Sequence, residues 1–330
     1  MYHPQEAIVA VTLNCNARCV MCNIWQNKIK GEVEPNFYEK LPSSLREINI
    51  TGGEPFLRKD LPDIVKVIKK RCQKARLLIN TNGYLVNQIK QIFPKVLKED
   101  PYIAMRVSID GTGDTHTHIR GLPLFYENAI TTLNYFKEIG VKDIGISFTL
   151  MEQNKHELLK LYDMCEKNDF EFSLTVASDS PIYFGKGKIK LRPKIDSELK
   201  DIFDELIYRQ ITSNKPKDWF RGWFSKKLDK FIQTNTRHFT CDAGSDFFYV
   251  DSLGKVYTCH LKPWLVGDLN KIKFEDLHFN KFISKIKSCN DCWMVCSART
   301  NIRKNILAIF KDIFIEKAKF LREPYIKPRF

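Results

Sequence analysis

The feature that most limits the fold is a repeated alternation of short β-rich runs with helical patterns through the first two thirds of the chain. Strands are predicted at 8–13, 46–51, 75–80, 102–109, 143–150 and 170–177. Helices are predicted near 35–41, 60–72, 85–92, 122–139, 155–168 and 196–213. Six strand-then-helix units imply a parallel α/β sheet with right-handed crossovers. Several of the runs are almost continuously apolar, which suits strands covered on both faces. Doubly wound and barrel arrangements both fit this rhythm. The first strand-to-helix loop carries cysteines where a dinucleotide-binding fold would carry GxGxxG, which weakens the dinucleotide reading.

Cysteine usage is the second constraint. Eight of ten cysteines fall in two groups near opposite ends, and Cys72 and Cys165 lie alone inside predicted helices. The chain has 330 residues, enough for a core without disulfide staples, and the grouping points to metal. No run approaches the length of a membrane span, so no transmembrane helix is expected, and no signal peptide is expected at the N-terminus. A cytoplasmic location is expected.

The first group, Cys15, Cys19 and Cys22, is a C-x3-C-x2-C array directly after a strand. Soft thiolates at this spacing suit an iron–sulfur cluster or zinc. Structural zinc wants a fourth ligand, and no histidine lies between Cys22 and His116. A 4Fe-4S cluster held by three cysteines would keep one iron open.

With the segments that follow, this array resembles the radical S-adenosylmethionine superfamily. Thr51-Gly52-Gly53-Glu54-Pro55 ends the second strand like the family's GGEP segment, and Asn80-Thr81-Asn82-Gly83 ends the third like its TNG segment. Ser108-Ile109-Asp110-Gly111 ends the fourth, Ser147 and Thr149 lie on the fifth, and Asn154 stands just beyond. The resemblance implies a partial (β/α)6 barrel over 1–214 with its site at the C-terminal ends of the strands. It implies S-adenosylmethionine bound at the open iron, with Gly52, Gly53, Glu54, Asn82, Ser108, Asp110, Ser147 and Asn154 as cofactor-binding candidates. His116 and Arg120, in the following loop, are candidates for contact with substrate. Taken singly, each of these polar residues is as well explained by a turn, a cap or solvent.

The second group is Cys241, Cys259, Cys289, Cys292 and Cys296. C-x12-G-x4-C, with Gly254 in a predicted hairpin turn, resembles the opening of the SPASM and twitch auxiliary-cluster domains. The full SPASM pattern has seven cysteines, so one auxiliary 4Fe-4S cluster on a small α+β domain over 241–300 is implied. Cys241, Cys259 and Cys292 are the leading ligands, and Cys289 and Cys296 compete for the fourth place. A fifth thiol is then a spare, a packing residue or a group that meets the substrate. Zinc remains the alternative for this end.

The net charge of +14 is concentrated in two places. Lys215–Lys230, within a basic aromatic stretch over 215–240 read as a linker, has six basic and two acidic residues, interleaved with Trp219, Phe220, Trp223 and Phe224. The tail over 301–330 has eight basic and three acidic residues, with apolar positions at helical spacing. Such stretches suit peripheral contact with an anionic membrane surface or grip on an acidic substrate, or are solvated faces with their aromatics packed inward. No RNA-binding module is recognisable, which argues against nucleic acid.

The resemblance implies an enzyme that reductively cleaves S-adenosylmethionine to a 5′-deoxyadenosyl radical. That radical would take hydrogen from a sugar, cyclitol or lipid-linked small molecule, with the electron supplied by a flavodoxin or ferredoxin. Modification of a ribosomally made peptide or protein is the second reading. A non-catalytic iron–sulfur electron carrier is the third, and an open iron would be of no use to it.

Overall fold

The computed structural model describes residues 3–26, 29–237 and 239–322. The six expected strands are β1 (Glu6–Thr12), β2 (Glu47–Gly52), β3 (Arg76–Thr81), β4 (Ala104–Ser108), β5 (Ile144–Leu150) and β6 (Glu171–Val176). Each pairs in parallel with the next. The helices between them are α1 (Leu61–Arg71), α2 (Val86–Glu99), α3 (Gly113–Arg120), α4 (Phe125–Glu138) and α5 (Leu158–Asn168). The helix expected near 35–41 is a 3-10 segment, Pro35–Lys40. The one expected near 85–92 runs on through Pro94.

Alternation along the strands sorts the side chains onto two unlike faces. Val9, Ile50, Ile79, Val107 and Phe148 are buried in the main core beneath the helices. Their neighbours Asn49, Asn80, Ser108, Ser147 and Thr175 line a cavity on the opposite side. All six strands contribute to that one cavity, as a sheet curled into a partial barrel requires. The concave face thus mixes these polar side chains with apolar ones such as Ile8, Leu78 and Leu174, and it encloses a cavity rather than a second packed core, unlike the expectation for strands covered on both sides.

The sheet continues past β1. Strand β7 (Phe247–Val250) pairs in parallel with β1, and β8 (Lys255–Tyr257) and β9 (Leu265–Asp268) follow antiparallel, giving the order β6-β5-β4-β3-β2-β1-β7-β8-β9. The expected hairpin is β7–β8, and Gly254 turns it with φ +85°. The hairpin of the 241–300 segment therefore shares one sheet with the barrel.

The stretch read as a linker is mostly helix. Helix α6 (Ser197–Thr212) is followed by α7 (Pro216–Thr234), which packs on it. A Cβ at Gly222 would stand 2.6 Å from Ile211 Cγ1, so glycine at that position lets the two helices approach. Two 3-10 turns and the short α8 (Ile283–Ser288) lead to the third part of the cysteine group, and the chain then forms α9 (Val295–Lys304) and α10 (Ile306–Arg322). Residues 323–330 of the tail lie outside the described residues.

The aromatics of α7 turn inward. Phe220 meets Phe310 at 5.1 Å, Phe224 stacks on Trp293 at 5.6 Å, and Trp223 is buried. They pack the tail against the barrel rather than face a membrane. No helix among the described residues is long and apolar enough to cross one.

Candidate functional site

The loop that carries Cys15, Cys19 and Cys22 leaves the C-terminal end of β1 and is gripped from three sides. Gly53 N and Glu54 N donate to Thr12 O (2.8 Å) and Asn14 O (2.9 Å), Arg18 N donates to Arg120 O (2.9 Å), and Asn23 N donates to Phe184 O (2.8 Å). The two glycines after β2 exist for this approach. A Cβ on Gly53 would lie 1.9 Å from Asn14 O, and one on Gly52, whose φ is +151°, would lie 2.1 Å from Thr12 O. Backbone against backbone, not backbone against ligand, is what excludes a side chain there.

Each sulfur already has an N–H neighbour. Ile24 N donates to Cys22 Sγ at 3.4 Å, Arg120 Nη1 to Cys19 Sγ at 3.6 Å, and Asn82 Nδ2 approaches Cys15 Sγ at 3.9 Å. Burial pushes the Cys15 and Cys22 thiols up to about 12 and also raises Cys19, against the pull of Arg120. Such thiols give up their protons only to a strong Lewis acid. Among the described residues, no three His, Cys, Asp or Glu side chains converge on a point suited to a single metal ion. Three thiols spread along one loop, each with a hydrogen-bond donor at its sulfur, instead fit the corners of a cluster. Tetrahedral zinc would need four donors about 2.3 Å from one centre.

The cavity inside the barrel has a volume of about 350 Å³, and the three cysteines stand at its edge. Of the expected cofactor and substrate residues, Gly52, Gly53, Asn82, Ser108, Ser147 and Arg120 line it. Glu54, Asp110, His116 and Asn154 do not; all four are buried behind the wall.

The Glu54 carboxylate accepts from Phe56 N (3.1 Å), Thr81 Oγ1 (2.8 Å) and Asn82 N (2.7 Å), tying the turn after β2 to the end of β3. Burial raises it to about 7 despite those three bonds. Asp110 is ion-paired to Arg120 and accepts from Thr149 N at 2.8 Å. His116 Nδ1 accepts from Asp110 N at 2.9 Å, and burial drives its pKa down to about 2, so the ring is neutral. Asn154 donates to Asp110 O (2.9 Å) and Thr149 O (3.0 Å). In this structure these four brace the ends of β2 to β5. Partners distant in sequence hold them there: Thr149 N and Arg120 for Asp110, Thr81 and Asn82 N for Glu54.

Sequence reasoning missed Tyr183. It lies in the loop after β6, its hydroxyl donates to Gly52 O and meets Thr51 Oγ1 (3.1 Å), and its ring is edge-on to Tyr249 and His260. Lys188 Nζ from the same loop reaches Val20 O at 2.8 Å. An aromatic pair in the Gly- and Lys-rich run at 181–188 was the available signal. At the far end of the cavity, Glu6, Glu47, Arg76, Arg106 and Arg299 interlock, with Arg299 Nη1 at 3.1 Å from Glu6 and 3.2 Å from Glu47. Helix α9 thus helps close the barrel.

All five C-terminal cysteines line a second cavity of about 330 Å³. Arg237, also buried, donates to Cys292 O (3.1 Å) and approaches Cys292 Sγ (3.5 Å), and it donates to Cys289 O. Burial raises Cys259 to about 12 and pushes Cys241, Cys292 and Cys296 upward too, while the charge of Arg237 favours the thiolates of Cys241 and Cys292. This donor set also fits a thiolate-bound cluster.

Residues 9–165 match the family model described as "Radical SAM superfamily". The Fe-coproporphyrin III synthase of Methanosarcina barkeri is 30% identical over 164 residues, 48% of this chain and 40% of that protein. The chain thus spans less than half the length of that relative. The probable GTP 3′,8-cyclase of Thermoplasma volcanium is 24% identical over 300 residues, 84% of this chain and 85% of that one. Among solved structures, native anSMEcpe with bound AdoMet superposes with a TM-score of 0.62 at 17% identity, covering 96% of this chain and 100% of the other. That likeness concerns the fold.

Proposed function

Because the chain belongs to the radical SAM superfamily, we propose that Cys15, Cys19 and Cys22 hold a 4Fe-4S cluster whose open iron binds S-adenosylmethionine in the barrel cavity. When bound, the cluster would supply the electron that splits the cofactor into methionine and a 5′-deoxyadenosyl radical able to take hydrogen from a substrate carbon. The chain's own residues do the rest. Asn82 and Arg120 reach the sulfurs of Cys15 and Cys19 from the cavity wall. The loop of Tyr183 covers the cysteine loop and limits water around it.

The cavity also favours a substrate class. Asn49, Asn80, Ser147, Thr149 and Thr175 present hydroxyls and amides between the two cysteine groups. That wall suits a polar small molecule bearing several hydroxyl or amide groups, such as a sugar or cyclitol. Two relatives carry names that specify a porphyrin product and a nucleotide substrate, neither of them a peptide. A second cluster on the C-terminal cysteines, close to the same cavity, suits an electron acceptor for the substrate radical. A low-potential flavodoxin or ferredoxin suits the electron supply.

The observation that carries the reading is the set of three N–H-supported thiols lining a cavity formed by all six strands. Reconstituted protein is expected to hold about eight irons. Alanine at Cys15, Cys19 and Cys22 together should remove about half of them and all cleavage of S-adenosylmethionine. Cleavage by that triple variant would overturn the proposal. Deuterated candidate substrates that pass label into 5′-deoxyadenosine would identify the attacked carbon.

A further inference from the structure

We infer that Cys296 is the one C-terminal cysteine outside the auxiliary cluster, and that with His260 it forms the window through which the second cavity meets the substrate. The inference rests on the two-cluster reading above and adds what that reading leaves open. Of the five cysteines that line the second cavity, only Cys296 also lines the barrel cavity. Met294 and His260 line both as well. Thr175 Oγ1 on β6 donates to Met294 Sδ at 3.2 Å, which holds the segment before α9 against the barrel wall.

The other four cysteines are set apart by the cations beside them. Cys241, Cys259, Cys289 and Cys292 each bear electrostatically on the other three. Arg237 bears on Cys241, Cys289 and Cys292, and Lys262 on Cys289 and Cys259. Cys296 bears on Cys292, Cys241 and Cys259 as well, but the charged group beside it is the acid Glu6 rather than a cation. A cubane takes four protein thiolates, and the four that share these cations are the natural choice. Cys296 is then left as a free thiol in the wall.

His260 supplies the independent indication that something binds there. The residue is 7% exposed, and its Nδ1 has no hydrogen-bond partner. Its ring is fixed edge-on by Tyr183, Phe184 and Tyr249, and its carbonyl accepts from Ser180 Oγ at 2.5 Å. A buried nitrogen left without a partner is costly, so it marks a place where a ligand's polar group completes the bonding. A substrate hydroxyl fits, because it can donate or accept. Cys296 and His260 are positioning residues in this account, one thiol and one imidazole in the wall of the barrel cavity.

The test uses the full chain, reconstituted anaerobically. Cys296→Ala is expected to keep about eight irons and Cys289→Ala about four. Cys296→Ser should leave the paramagnetic signal of the reduced auxiliary cluster unshifted. A fall to about four irons in Cys296→Ala, a shifted signal in Cys296→Ser, or full iron retention in both alanine variants would overturn the assignment. Methyl methanethiosulfonate should modify Cys296 of the holoenzyme, and S-adenosylmethionine should slow that reaction several-fold. No modification, or a rate indifferent to S-adenosylmethionine, would overturn the window. Wild-type protein with about four irons, all lost with Cys15, Cys19 and Cys22, would instead show that the auxiliary cluster itself is absent.

Discussion

Arg120 and Asp110 form a buried ion pair, Nη2 to Oδ2 at 2.5 Å, at the end of the helix that closes over the first cysteine loop. The other arm of the guanidinium reaches Cys19. Arg120 therefore carries charge balance for a carboxylate and a cysteine together. Arg120→Met strands the Asp110 carboxylate and should cost about 3–5 kcal/mol. Asp110→Asn combined with Arg120→Met should recover part of that loss. Urea unfolding of the metal-free protein measures both, and equal stability of the single and double variants would show that the pair is not coupled.

Glu54 accepts three hydrogen bonds, two of them from backbone N–H groups. Glu54→Gln must turn an amide N–H2 toward at least one of those donors. The expected loss is about 1–3 kcal/mol, read from the shift of the urea midpoint. A variant as stable as the wild type would show that the turn after β2 is held by its backbone contacts alone.

The pH response isolates His116. Its folded pKa, about 2, lies below its ordinary 6.5, so its contribution to stability is complete above 6.5 and is lost as pH falls toward 2. His116→Asn keeps an acceptor for Asp110 N but does not titrate. The variant should be less stable than wild type at pH 7.5, and the gap should close by about 1.4 kcal/mol per pH unit below 6.5. Raised Glu54 acts in the opposite sense, losing its contribution as pH rises through about 7, and cancels from this comparison. A gap that stays constant from pH 7 to 5 would show that the imidazole is not held neutral.

Tyr183→Phe removes the hydroxyl that joins the loop after β6 to Gly52 and Thr51. The chain should lose about 1–2 kcal/mol, and a chelator should strip the iron of the first cluster several-fold faster, because the cover over the cysteine loop is loosened. Unchanged stripping kinetics would mean that Lys188 and the Asn23–Phe184 bond suffice to hold it.

The strands, the first cysteine loop and the hairpin that turns at Gly254 are readable in the sequence because each depends on local pattern: β-branched runs, close cysteine spacing, a glycine in a turn. The facing of polar residues at strand ends is not. Asp110 and Ser108 stand two positions apart, yet one is locked to Arg120 and the other lines the cavity. What separates them is partners far along the chain, such as Thr149 N for Asp110. Helix α7 was hidden for a similar reason. The sequence leaves open whether its aromatics face a surface or pack inward, and Phe310 of α10 and the distant Trp293 are what they pack against.

The pairing of β1 has a consequence for biosynthesis. Glu6 pairs with Glu47 on one side and with Phe247 on the other. At about 5–20 residues per second, the second edge of β1 stays uncovered for on the order of tens of seconds after the strand leaves the ribosome. An open strand edge is a template for pairing with other chains. Nascent chains stalled before Phe247 would therefore be a sticky species, and the C-terminal hairpin serves the newborn barrel as the seal on its first strand.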